Sequence, residues 1–447
     1  MTTVWAETAY LSGAPVAGVR FGVDAAGRIT HVETGVSAHD DDLRLGTVLP
    51  GIGNAHSHAF HRLLRGTTHG HGGDFWRWRE SMYDAAASLD PQRYLAVARA
   101  VFAEMLVSGY TAVGEFHYLH HTADGTPYDP AHAMELALAT AASDVGIRLV
   151  LLDTVYLAGG FDLPLSEQQR AFDDRTPERY LERWHALRAV LPAEHTLGAA
   201  IHSVRAVPAD AIRAVLAGLP QDIPLHVHVS EQPQENADTL AATGLTPTAL
   251  LHSLGALTPR LSLVHATHLS DDDIALIGAA GASVVLCPTT EADLGDGIGP
   301  ARALADAGAR LAIGSDQNAV IDPLLELRGL EAGERLSSGQ RGRFSPSELV
   351  RLAASGGYTS LGLGGNDLAV GDLCDLVEVS TSSVRTTGTA SGQLALTATA
   401  TDVGRVLVGG RVVADRGRLV GATSGLHSRR PERLLAAAIA TLTEGTS

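Results

Sequence analysis

His56 and His58 stand two residues apart at the end of a short apolar run, Thr47-Val-Leu-Pro-Gly-Ile52. Side chains at i and i+2 of a strand leave the same face, so these two imidazoles can grip one divalent metal. A lone His-x-His is weak evidence in a chain with 20 histidines. Three later segments strengthen it: His226-Val-His228-Val-Ser-Glu231, Val264-His265-Ala-Thr-His268 and Ile313-Gly-Ser-Asp316. Each is an apolar, strand-like run that ends in residues able to ligate metal or carry protons. Three neutral imidazoles and one carboxylate bind zinc and leave a position for water. The metal lowers the pKa of that water to roughly 7. Glu231, three residues after His228, can reach the same cavity to move protons. Two competitions stay open. His226 can replace His228, which is preferred because Glu231 follows it at the right distance. His268 can replace His265, which lies closer to its strand end. His69, His71, His120 and His121 are expected in loops, as surface histidines.

A second group of residues suits anion binding. Phe75-Trp-Arg-Trp-Arg-Glu-Ser-Met-Tyr83 interleaves aromatics with arginines and reads as a lid over the site. The guanidinium fork matches a carboxylate in two hydrogen bonds. Arg79 in the lid and Arg205 in Ile201-His202-Ser-Val-Arg205 can therefore hold two carboxylates of a small-molecule substrate.

These side chains need a scaffold that brings strand ends together. Apolar runs recur near Val48 and at 111–113, 149–152, 198–201, 225–229, 261–264, 283–286 and 311–313, with helical stretches at 94–106, 131–142, 177–190, 209–216 and 304–307 between them. Eight continuous apolar strands alternating with helices predict an α/β fold, a closed parallel (β/α)8 TIM-like barrel. Chemistry in such barrels sits at the C-terminal strand ends. His56, His58, His228, His265 and Asp316 all fall there. Short β runs at both ends of the chain predict a small β-sandwich domain assembled from residues 1–46 and 367–430. The barrel then occupies 47–366, and 431–447 forms a C-terminal helix.

Composition narrows the function classes. The chain has 447 residues, 45% hydrophobic, and a net charge of −17. This balance argues against nucleic acid or an anionic membrane surface as a partner. No apolar run approaches the roughly 20 residues of a membrane span. The N-terminus lacks a basic-then-apolar pattern, and the expected location is cytoplasmic. The two cysteines, Cys287 and Cys374, form no framework, and Cys287 reads as a packed core thiol. All 33 basic residues are arginine. Schiff-base lysine, lysine general base and carboxylated-lysine metal bridges are thereby excluded.

With these residues in place, the chain resembles the amidohydrolase superfamily in its mononuclear deaminase branch, and within it the formimidoylglutamate deiminase family. The resemblance runs from about residue 47 to 365 and extends into the flanking β unit. It is carried by His56-Ser-His-Ala-Phe60, Trp78-Arg-Glu-Ser-Met-Tyr83, Glu115-Phe-His-Tyr-Leu-His-His121, His202-Ser-Val-Arg205, Val264-His-Ala-Thr-His268 and Cys287-Pro-Thr-Thr-Glu-Ala-Asp-Leu-Gly-Asp-Gly297. It implies hydrolysis of N-formimidoyl-L-glutamate to N-formyl-L-glutamate and ammonia, a step of histidine degradation. It implies one zinc per chain on His56, His58, His228 and Asp316. Catalytic proton transfer is implied for Glu231 and His265, with Asp316 assisting. Substrate contacts are implied for Arg79, Tyr118, His202 and Arg205, and the assembly is a homodimer. The position after Ala59-Phe60 is commonly glutamine in the family and contacts substrate; here it is His61. Both side chains donate a hydrogen bond, but histidine adds a possible charge, which leaves substrate preference open. A ring deaminase acting on a purine or pyrimidine would use the same metal set, with Arg79 and Arg205 left without partners. A metal-free assembly protein would be expected to have lost ligands that are all present here.

Overall fold

The computed structural model describes residues 2–68, 75–421 and 426–443. Its strands fall into two eight-stranded sheets. One sheet combines both ends of the chain. From the N-terminal side come β1 (Thr2–Leu11), β2 (Ala14–Val23), β3 (Ile29–Glu33) and β4 (Leu43–Pro50). The other sheet is built from β5 (Ile52–Ser57), β6 (Tyr110–His117), β7 (Arg148–Val155), β8 (Thr196–Ser203), β9 (Leu225–Val229), β10 (Leu261–His265), β11 (Ser283–Leu286) and β12 (Arg310–Ile313). The chain then returns to the first sheet with β13 (Leu376–Val379), β14 (Val403–Val408), β15 (Arg411–Asp415) and β16 (Arg418–Leu419).

β5 to β12 pair in chain order, each parallel to the next. Every residue of β6, β9 and β10 is buried. That is why these strands read as continuous apolar runs: one face meets the barrel interior and the other meets the helices. The helices are set by local signals. Pro177–Val190 starts at Thr176, whose side chain caps Arg179 N–H, and Pro91–Ser108 starts at the Asp90 cap and stops at left-handed Gly109. The sheet closes on itself between β5 and β12, through a parallel bridge from Ser57 to Asp316. The structure is therefore a parallel (β/α)8 barrel, as the alternation of runs predicted.

The terminal sheet runs β16-β15-β14-β13-β4-β1-β2-β3. Val4, Phe21, Ile29 and Leu45 from the N-terminal side meet Leu376 and Leu407 from the C-terminal side in one apolar core. The expected boundary at residue 46 falls inside a strand. Leu43–Pro50 pairs with β1 (Ala6 opposite Leu45) and with β13 (Leu376 opposite Pro50). The apolar run around Val48 thus spans two strands, and the first barrel strand is Ile52–Ser57. Gly51 makes the crossing. A Cβ there would lie 2.5 Å from Thr111 Oγ1 and 2.6 Å from Asp375 Cβ, so only glycine lets the chain pass. The helix Pro431–Thr443 packs against Pro91–Ser108 through Leu434 and Ala438.

One ionic joint ties the two sheets together. Arg148 of β7 donates to both carboxylate oxygens of buried Asp375, at 2.6 and 2.9 Å. Tyr358 Oη donates to the same carboxylate at 2.6 Å, and Gly409 N–H at 2.6 Å. Asp375→Ala would strand four donors at once. It is expected to cost about 3–5 kcal/mol, read as a drop in Tm or denaturation midpoint.

Candidate active site

The barrel's closing seam and its cluster of potential ligands are the same place. Ser315 and Asp316 N–H donate to the His56 carbonyl at 3.1 and 3.0 Å, and His58 N–H donates to the Asp316 carbonyl at 3.0 Å. Gly314 permits this approach: a Cβ there would sit 2.8 Å from the His56 carbonyl oxygen and 2.9 Å from His56 Cβ. Asn54 clamps the turn, accepting Ser315 N–H at 2.9 Å and donating to Ser315 Oγ at 2.7 Å. Asn318 donates to the carbonyls of His58 and Asp316 at 3.0 and 3.2 Å. These bonds hold Asp316 at φ 40° and Asn318 at φ 57°, a left-handed backbone that non-glycine residues seldom adopt.

His228 from β9 completes a tight group. His56 Nε2 lies 3.0 Å from His228 Nε2 and 3.2 Å from Asp316 Oδ1. His58 Nε2 lies 3.3 Å from His228 Nε2 and 3.5 Å from Asp316 Oδ1. The ligand atoms of these four buried residues all fall within 4.8 Å of one another. Their tautomers follow from the outer nitrogens. His58 Nδ1 faces the Phe116 carbonyl at 2.9 Å, and His228 Nδ1 faces the His202 carbonyl at 3.0 Å. A carbonyl only accepts, so each Nδ1 carries the proton. Each Nε2 then offers a lone pair, and two lone pairs 3.3 Å apart repel. A cation between them removes the conflict, so the donor set fits a divalent metal. Burial, then neighbouring histidines, push His58 and His228 well below the ordinary histidine value. Both are neutral, as ligation requires. His226 sits elsewhere: its Nε2 faces the Ser360 carbonyl at 3.0 Å.

Beside this group, Asp316 Oδ2 is 4.0 Å from His265 Nε2, which is 3.8 Å from Glu231 Oε1. His265 and Ser230, the residue before Glu231, both hold left-handed backbone, φ 68° and 51°. Burial pushes Glu231 up, while His265 pulls it down. Burial also works against charge on His265, but Glu231, Glu291 and Asp316 outweigh it and hold its pKa at about 10. Burial would raise Asp316, yet the His56 bond and the field of His265 keep it below the usual carboxylate range.

A cavity opens on this cluster. His58, His61, Arg79, Tyr118, His202, Arg205, His228, Glu231, His265 and Asp316 all line it, so nearly every residue named from sequence reaches one space. His61 Nε2 is 3.0 Å from Tyr118 Oη, and burial pushes its pKa down to about 3, so it is neutral. The lid helix is Phe75–Ala87. Its Arg79 donates from Nε to Tyr83 Oη at 2.7 Å. Arg205 Nε is 3.8 Å from Glu235 Oε1. Burial, then the charges of Arg205 and Arg79, press His202 well below the histidine norm. The cavity is therefore lined by guanidinium groups as well as by carboxylates and imidazoles.

Residues 47–413 match the amidohydrolase family. Formimidoylglutamate deiminase of Pseudomonas aeruginosa is 41% identical over 390 residues, covering 84% of this chain and 86% of the relative. The crystal structure of an amidohydrolase from Brucella melitensis superposes with a TM-score of 0.91 at 35% identity, over 99% of this chain and 100% of that one. An adenosine deaminase from Xanthomonas campestris with bound zinc gives 0.81 at 25% identity, over 99% and 97%. The chain belongs to the amidohydrolase family.

Sequence reasoning missed several parts of this amidohydrolase. Asn54, Ser315 and Asn318 brace the seam, but polar residues near strand ends are too common to single out. Tyr83 and Tyr156 line the cavity with Arg79; Tyr156 directly follows β7, a position that could have flagged it. His120 is not a surface residue. It is buried, with Nδ1 2.9 Å from Glu135 Oε1 and Nε2 2.9 Å from the Thr154 carbonyl. Arg183 also enters this cluster, donating to Asp153 at 2.6 Å and Asp174 at 2.9 Å. Its guanidinium also lies 3.4 Å from Glu135 Oε1 and 3.1 Å from His120 Nε2. His121 is half-buried, and His69 and His71 lie outside the described residues.

Gly314→Ala would push His56 and the seam apart. It is expected to cost about 1–3 kcal/mol as overpacking and to lower bound metal per chain, measured by elemental analysis beside a melting curve.

Proposed function

We propose that this amidohydrolase is a metal-dependent formimidoylglutamate deiminase, converting N-formimidoyl-L-glutamate and water to N-formyl-L-glutamate and ammonia. The observation that carries the reading is the pair of arginines, Arg79 and Arg205, lining the same cavity as the His56, His58, His228 and Asp316 cluster. The substrate has the matching shape: two carboxylates for the guanidinium forks and an amidine for the hydrolytic end. The similarity to the Pseudomonas aeruginosa deiminase supports the same substrate.

Zinc is the metal we assign, one per chain, because three imidazoles and one carboxylate suit it. When bound, it supplies the Lewis acidity that makes water nucleophilic near neutral pH. The remaining work falls to the chain. Arg79, steadied by Tyr83, and Arg205, beside Glu235, take the two carboxylates. His61, Tyr118 and His202 flank the substrate as hydrogen-bonding groups. Asp316 takes the proton of the attacking water, and His265 beside it orients the nucleophile. Its oxygen adds to the formimidoyl carbon, and Glu231 passes a proton to the terminal nitrogen. As the bond from carbon to that nitrogen breaks, the added hydroxyl gives up its remaining proton to the departing nitrogen, ammonia leaves, and the glutamate nitrogen keeps the formyl group. The family resemblance extends this proposal to a homodimer, and the sequence composition extends it to the cytoplasm. Among the described residues, no helix is long and apolar enough to cross a membrane.

Ammonia release from formimidoylglutamate, with and without chelator, tests the reading directly; release from purines but not from formimidoylglutamate would overturn it. Glu231→Gln is expected to abolish turnover while metal content stays at the wild-type level. Arg79→Met or Arg205→Met is expected to weaken substrate binding by about 2–4 kcal/mol, as for a lost charge-assisted pair. An unchanged KM would remove that arginine from the site.

A further inference from the structure

Tyr156 lines the cavity beside Arg79 and Tyr83, yet it has no part in the mechanism above. Its hydrogen bonds have a fixed direction. The Ser166 N–H donates to Gln169 Oε1 at 2.9 Å, in the short helix Glu167–Phe172 and its cap. The other end of that amide, Nε2, then faces the Tyr156 hydroxyl at 2.8 Å. An amide nitrogen only donates, so Tyr156 Oη accepts. The Arg79 guanidinium, which also only donates, reaches the same hydroxyl. The hydroxyl proton is thereby turned away from both neighbours. Among the described residues no acceptor takes it, and the cavity lies in front of it.

The ring and backbone of Tyr156 are fixed as well. The ring packs edge-on to His202, centroids 4.5 Å apart, and lies 5.5 Å from the Phe172 ring. Asp174 Oδ2 accepts the Tyr156 N–H at 3.2 Å, and the Asp174 N–H donates to the Tyr156 carbonyl at 3.1 Å. Arg183 holds Asp174 and, at the end of β7, Asp153. The buried cluster around His120 and Arg183 thus anchors the strand end that carries Tyr156.

We propose that Tyr156 is a substrate-binding residue whose hydroxyl donates to the carboxylate taken by Arg79. The proposal rests on the deiminase reading for the identity of the ligand. Two donors on its oxygen polarise the O–H, and a charged acceptor gains most from such a group. A neutral carboxamide in the same place would accept a weaker bond.

Tyr156→Phe removes the hydroxyl and keeps the ring against His202 and Phe172. In the holoenzyme, KM for formimidoylglutamate is expected to rise about 10-fold, with kcat within about twofold of wild type. A packing role alone would weaken every ligand alike, so two analogues separate the roles. N-formimidoyl-L-glutamine and N-formimidoyl-L-isoglutamine each carry a carboxamide in place of one carboxylate. Measured as KM or as competitive inhibition constants, the Tyr156→Phe penalty should shrink to about twofold for one of them. That one lacks the carboxylate Tyr156 meets. Equal penalties for the substrate and both analogues would overturn the proposal, whatever the Tm of the variant. So would an unchanged KM for formimidoylglutamate. If the wild type released no ammonia from formimidoylglutamate, the deiminase reading would fail. Calorimetry with glutarate, a dicarboxylate without an amidine, would still decide whether the wild type binds it about 10-fold more tightly than Tyr156→Phe; equal affinities would remove Tyr156 from the site.

Discussion

The pairing of β5 with β12 at the top of the barrel is the constraint on which the rest depends. A sheet of eight parallel strands has two edges until the first and last strands meet. Here they meet through backbone bonds between His56, His58, Ser315 and Asp316. Closing the barrel and gathering the ligands are therefore one event. The amides that seal the edge belong to the residues whose side chains converge on the cavity. Gly314, Asn54 and Asn318 serve this junction, one by leaving room and two by supplying hydrogen bonds. The left-handed backbone at Asp316 is sustained by those surroundings.

The cavity's electrostatics follow from burial. Burial takes the charge from His58 and His228, and the carbonyls behind them turn their Nε2 lone pairs inward. The result is a set of donors that repel one another unless a cation lies among them. Arg79 and Arg205 add fixed positive charge to the lining of the same space. Such a cavity favours a ligand with negative charge at one end and a hydrolysable group at the other. The absence of lysine sharpens this, because every fixed side-chain cation in the protein is a planar guanidinium suited to carboxylates.

Much of this was legible in the chain. Strands buried on both faces show as apolar runs, and the residues that end them show as His, Glu and Asp placed just past those runs. What could not be read were matters of spatial proximity. The run around Val48 looks like one strand, yet Gly51 divides it between two sheets, because the need for glycine arises from Thr111 and Asp375, far along the chain. His120 reads as a loop histidine, but Glu135, Thr154 and Arg183 close over it.

By itself the sequence determined the barrel and which residue types would stand at its strand ends, because hydrophobic periodicity is a local property of the chain. It also determined the kind of chemistry, through the donors available and the lysine withheld. Only the tertiary structure decided which histidine of each competing pair turned into the cavity. His226 and His228 leave the same face of β9, but one lies level with Ser360 and the other level with His56 and His58. Depth along a barrel axis depends on the register of eight strands together, and no single strand carries that information.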